Sequence, residues 1–151
     1  MLYELITNKV LVISFCVWVV AQLVKVFITL VREKRLDLGY LVASGGMPSA
    51  HSAVVSALAT SVAMLQGLGS VAFGIAAILA IVVMYDAAGV RQSVGQQAAV
   101  LNRIMEELRF KRIAELERDL RELIGHTPFQ VIAGGILGVA LAWVWLIIIG
   151  V

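Results

Sequence analysis

Between Gly45 and Ser52 the chain reads Gly-Gly-Met-Pro-Ser-Ala-His-Ser, a polar, glycine-opened run that leads straight into an apolar segment. The two glycines let the backbone approach a ligand closely. Pro48 falls where a first helical turn would begin. The N–H groups of such a turn, with the positive end of the helix dipole behind them, are a ready site for an anion. Ser49 can donate a hydroxyl hydrogen bond, and His51 can move a proton near neutral pH. This set suits a phosphate whose ester bond is to be broken. The same residues also make an ordinary polar turn at a membrane edge with an N-cap serine, and the run alone does not choose between the two.

Other polar residues stand in otherwise apolar surroundings. Lys25 and Arg32 are seven apart, two helical turns, so both can project from one face. Either can also be read as a cation snorkelling to a bilayer edge. Asp86 and Arg91 follow a later apolar run and can pair with each other across a helical turn. Gly125-His126-Thr127-Pro128 opens the last apolar segment. There Thr127 as N-cap, Pro128 at the first helical position and Gln130 three residues after the cap form a capping-box pattern. The cap accounts for Thr127, Pro128 and Gln130 but not for Gly125 or His126. Ser49 and His51, two apart at a helix start, need not face each other, which weakens a serine nucleophile driven by histidine. With two histidines and a single cysteine, Cys16, inside an apolar run, neither a disulfide framework nor a metal-ligand set is expected.

The elements that must position these residues are set by composition. Of 151 residues, 61% are hydrophobic and 15% charged, and the mean hydropathy is +0.97. This is the composition of an integral membrane protein, and a net charge of +2 is too small to suggest a nucleic-acid partner. Four apolar segments stand out, at about 10–31, 50–65, 71–84 and 129–151. The first and last are long enough to span a bilayer, and the first lacks the flanks of a cleaved leader. The second and third are short, and span only if they continue into residues that face protein rather than lipid. The third is expected to continue past Asp86 and Arg91. Between 96 and 124 there is neither Gly nor Pro, and Leu101, Ile104, Leu108, Ile113, Leu116, Leu120 and Leu123 recur at helical spacing opposite charged residues. The reading is one all-α membrane domain over 1–151. It has four transmembrane helices and a long amphipathic insertion before the fourth, lying on the membrane, closing over the site or meeting a second copy.

Topology follows from the cations. Of twelve Lys and Arg residues, only Lys9 precedes the first apolar segment. The rest lie at its end, in the loop that follows, or between the third and fourth segments. Four crossings put all of these on one side, while the loop at Gln66–Ser70 and the C-terminus carry no charge. The positive-inside rule makes the charged side cytoplasmic. The same topology gathers Lys25, Arg32, the His51 run, Asp86, Arg91 and His126 on that side.

As a set these strings resemble the type 2 phosphatidic acid phosphatase and vanadium haloperoxidase superfamily, in its divergent small-membrane branch. The superfamily pattern is K-x6-R-P, P-S-G-H and S-R-x5-H-x3-D. Lys25 and Arg32 reproduce the first spacing with Glu33 in place of proline. Pro48-Ser49-Ala50-His51 reproduces the second with Ala50 for glycine. The third is split, with Arg91 after Asp86-Ala87-Ala88-Gly89-Val90 and His126 thirty-five residues later. The similar strings cover Gln22 to Gly138. The resemblance implies a cofactor-free, metal-independent phosphatase that passes through a phosphohistidine, with His126 as nucleophile and His51 as general acid and then base. It implies that Lys25, Arg32, Arg91, Ser49 and the Gly46 N–H hold the phosphate oxygens. The superfamily's acid after the nucleophile is absent, and Asp86 is the available substitute. A phospholipid phosphate is the implied substrate, phosphatidylglycerophosphate first because of the cytoplasmic face. An undecaprenyl pyrophosphate or phosphatidic acid substrate, or a non-catalytic lipid or anion transporter on the same scaffold, are the other readings.

Overall fold

The computed structural model describes residues 2–34, 46–89, 97–103 and 126–150. A short helix α1 (Leu2–Thr7) precedes α2 (Lys9–Glu33), α3 (Ala50–Gln66), α4 (Val71–Ala88) and α5 (Pro128–Ile148). Residues 97–103 are also helical. Each long helix begins at a side chain able to take its unpaired N–H groups. Asn8 accepts from Val10 and Leu11, Ser49 from Ser52, Ser70 from Phe73 and Thr127 from Gln130.

α2, at 25 residues, is about 37 Å long at 1.5 Å per residue. Stretches of α2, α4 and α5 are long and apolar enough to cross a membrane: Lys9–Arg32, Val71–Ala88 and Pro128–Ile148. α3 is apolar but shorter. It is also the most enclosed, packing against α2, α4 and most extensively α5.

The α3–α5 contact is made by small residues repeating every fourth position. On α5 these are Gly134, Gly138 and Ala142; opposite them stand Ser49, Ala53 and Ala57. A Cβ on Gly134 would run into the Ser49 carbonyl, and one on Gly138 into the Ala53 carbonyl. The backbones therefore touch, which is how helices gain dispersion energy where lipid removes the hydrophobic drive between them. Because Ser49 meets Gly134 and Ala53 meets Gly138, α3 and α5 run parallel, with both N-termini at one end. α4 returns beside α3 after the tight Gly67–Ser70 connection, and its Met84 sulfur lies 3.9 Å from the Ser56 hydroxyl.

Large apolar side chains point outward. Phe15, Phe27, Ile75, Ile81, Ile132 and Ile136 are all exposed, while serines, Gln22, Lys25 and His126 are buried. That inversion is what a bilayer solvent selects.

Two boundaries differ from the sequence reading. Pro48 lies outside the helix: Ser49 is the N-cap and Ala50 the first helical residue, because the Ser49 hydroxyl takes the Ser52 N–H. The Met47–Pro48 peptide is cis. α4 includes Asp86 but stops at Ala88, where the Gly89 N–H closes on the Tyr85 carbonyl, so it does not run on to Arg91. Arg91, Gly125 and most of the expected 96–124 insertion lie outside the described residues. In the part of the insertion that is described, Ala98 is buried while Leu101 is exposed.

Candidate active site

The site grows from the paired N-termini of α3 and α5. The Ser49 N–H donates to the Gln130 carbonyl at 3.1 Å, tying the N-cap of one helix to the first turn of the other. Two helix dipoles thus present their positive ends side by side. The Ser49 hydroxyl is fully buried and accepts from the Ser52 hydroxyl at 3.0 Å and from the Ser52 N–H at 3.4 Å. With its lone pairs so engaged, its own hydrogen is left to donate.

Lys25 reaches this end from α2. It is 1% exposed, the largest fully buried side chain among the described residues. Gly46 makes its passage possible: a Cβ there would stand 3.1 Å from the Lys25 Cγ and Cδ, and the residue's φ of +91° is one that side-chain-bearing residues rarely adopt. The glycine of the sequence motif thus serves the lysine stem as well as any ligand.

His126 sits just before the Thr127 cap, 1% exposed. Its Nδ1 lies 3.2 Å from the Gln130 Oε1. The same oxygen accepts the Thr127 N–H at 3.1 Å, as the capping box requires. A backbone N–H can only donate, so the amide orientation is fixed by the cap. An acceptor at Nδ1 then calls for the proton there, leaving Nε2 as the nitrogen with the lone pair. Gln130 therefore performs two tasks through one oxygen, completing the cap and holding the His126 ring.

Lys25 lies against Gly46, three residues before Ser49 in sequence, and Ser49, Gln130 and His126 are linked in turn. His51 begins α3 one position after Ala50 and is exposed, whereas Ser49 is buried; the two side chains diverge, as their spacing suggested. Arg32 is exposed in the last turn of α2, two turns beyond the buried Lys25. Asp86 lies half-buried in the last turn of α4, two residues beyond Met84, at the same end. Arg91 lies outside the described residues. No cluster of three or more His, Cys, Asp or Glu with metal-binding geometry occurs among the described residues.

The sequence matches the Divergent PAP2 family over residues 6–141. It is 41% identical over 151 residues to "Uncharacterized membrane protein YuiD" of Bacillus subtilis (strain 168), covering 93% of this chain and 96% of the relative. No solved structure matches. With its three long apolar helices the chain is an integral membrane protein, and it belongs to the Divergent PAP2 family.

Proposed function

We propose that this protein is a metal-independent lipid phosphate phosphatase working through a phosphohistidine. The observation that carries the reading is a buried His126, its Nδ1 held by Gln130, at the same end of the bundle as buried Lys25 and Ser49 and at two paired helix N-termini. Phosphate oxygens are held by Lys25, Ser49, the Gly46 N–H, Arg32 and Arg91, where preorganised charge does most of the catalytic work in phosphoryl transfer. The His126 Nε2 attacks phosphorus in line; the N–P bond forms as the P–O bond to the lipid alcohol breaks. His51 gives its proton to the departing alkoxide. It then takes one from water, whose oxygen attacks the phosphohistidine, releasing phosphate and restoring Nε2. Asp86 supplies negative charge that stabilises the imidazolium formed on the way.

In this reading α2, α3, α4 and α5 each cross the bilayer, the 96–124 segment forms an interfacial insertion or dimer contact, and the site faces the cytoplasm of a cytoplasmic or equivalent inner membrane. α3 tolerates its short length because its neighbours, not lipid, surround it. The substrate that fits this placement best is phosphatidylglycerophosphate.

The test is phosphate release from phosphatidylglycerophosphate by the purified protein in detergent. Activity is expected to persist in chelator and to fall with vanadate, which mimics the five-coordinate phosphoryl transition state. Activity that requires added magnesium and disappears in chelator would contradict the mechanism.

A further inference from the structure

We propose that Gln22 sets substrate specificity by accepting a hydrogen bond from a hydroxyl on the carbon adjacent to the phosphoester carbon of the substrate. The proposal rests on the phosphatase reading of the site. Gln22 stands in the middle of an apolar helix whose neighbouring Leu23 and Phe27 face outward, yet it is itself 6% exposed. Among the described residues its Oε1 is buried without a hydrogen-bond partner. A carboxamide in that state is costly inside a membrane protein and calls for an explanation. The hydroxyls of Ser14 and Ser61 are also buried without a partner. However, a serine in a helix can turn its hydroxyl back to the carbonyl one turn earlier. The longer glutamine side chain reaches away from its own backbone.

Gln22 is three residues before Lys25, so the two share a face of α2. They are separated along the axis by about 4.5 Å, with Gln22 on the membrane-interior side of the lysine. A phosphate held by Lys25 would leave Gln22 beside the alcohol part of the substrate. As the amide is placed, the vacant atom is the carbonyl oxygen, an acceptor, so its complement is a donor. A phosphate dianion carries no proton to give, and the ester and acyl oxygens of a lipid only accept. A hydroxyl next to the phosphoester carbon is a donor at a comparable distance from phosphorus. Glycerophosphate head groups carry such a hydroxyl; phosphatidic acid and prenyl phosphates do not. A buried acceptor that matches a substrate hydroxyl discriminates strongly against analogues lacking it, because those leave the acceptor unmet.

The experiment compares phosphatidylglycerophosphate with its deoxy analogue lacking the head-group hydroxyl, using purified protein in detergent. The wild type is expected to prefer the hydroxylated lipid by about ten- to hundredfold in kcat/KM, a range set by one buried hydrogen bond. Gln22→Leu should remove that preference by slowing only the hydroxylated substrate, leaving the deoxy analogue within about threefold of the wild type. Gln22→Glu keeps an acceptor oxygen and should retain the preference, whatever its absolute rate. Equal hydrolysis of both lipids by the wild type would overturn the proposal even if Gln22→Leu does not fold. So would an equal loss on both lipids in Gln22→Leu, which marks a packing or phosphate-binding role. Hydrolysis of neither lipid by the wild type would instead overturn the phosphatase reading, and this proposal with it.

Discussion

At one end of the α3–α5 seam the buried residues include Lys25, Ser49, Ser52 and His126; toward the other they include Ile13, Val17, Ala142 and Leu146, with only the small hydroxyls of Ser14 and Ser61 as buried polar groups among the described residues. The same close packing serves both. Gly134 approaches the Ser49 backbone and Gly138 the Ala53 backbone, and the small-residue repeat continues to Ala142. The apolar side chains at that end need no partners, and its serine hydroxyls can turn back to the carbonyl one turn earlier. The polar end is different: a buried ammonium, imidazole and hydroxyl weaken a membrane bundle unless each is matched. Their collection at one end of a shared scaffold marks that end as the part kept for function rather than for stability. The seam supplies the rigidity that holds them.

The largest expected effect tests the shared scaffold. Gly138→Leu would drive a side chain into the Ala53 carbonyl, so the two helices cannot keep their contact. Loss of folded protein by size-exclusion chromatography in detergent is expected. A well-folded variant would mean that the seam is looser than described.

A matched pair then separates the two ends. Lys25→Met removes a buried charge while keeping most of the side-chain volume. It should lower kcat/KM by about a hundredfold or more, as loss of an oxyanion donor does, while leaving thermal unfolding unchanged or raised. Leu146→Ala should do the reverse, costing about 2 kcal/mol or more of stability through the cavity it leaves, with activity per folded molecule near wild type. If both variants change stability and activity together, the division between the ends fails.

The smallest effect sharpens the polar end. Gln130→Glu preserves the capping box and adds negative charge at the helix start and beside the His126 Nδ1. Turnover within about threefold of wild type, in either direction, is expected on the scale of a dipole interaction. A collapse in turnover with an intact fold would show that the neutral amide is needed at Nδ1.

What the sequence made legible was local. The Thr127-Pro128-Gln130 cap was readable because all of its bonds lie within one turn, and the structure forms both of them. Gly67 likewise ends α3 close to where the apolar pattern stops, whereas Gly89 ends α4 short of the expected continuation past Arg91. Pro48 lies two residues before the first helical position expected for it, because a proline suits several positions near an N-terminus and the choice depends on which hydroxyl caps. The pairing of Gly134 and Gly138 with α3 was not readable, since nothing in one strand of sequence says which helix a glycine face will meet. Gln22 carries no local signal in the sequence, because its burial depends on neighbours far away along the chain. Gln130, four residues after His126, is within reach of the ring in sequence, and the structure places its Oε1 3.2 Å from the His126 Nδ1.

The account stands most directly on His126 as the nucleophile. The measurement is rapid acid-free quenching of purified protein with radiolabelled phosphatidylglycerophosphate, followed for label on the protein alongside steady-state phosphate release, both normalised to folded protein because the residue is buried. The wild type should carry a label that survives base and is lost in acid, as a phosphohistidine is. His126→Ala should carry none and release phosphate at less than about a hundredth of the wild-type rate. Retention of more than a tenth of wild-type turnover in His126→Ala would contradict the phosphohistidine mechanism.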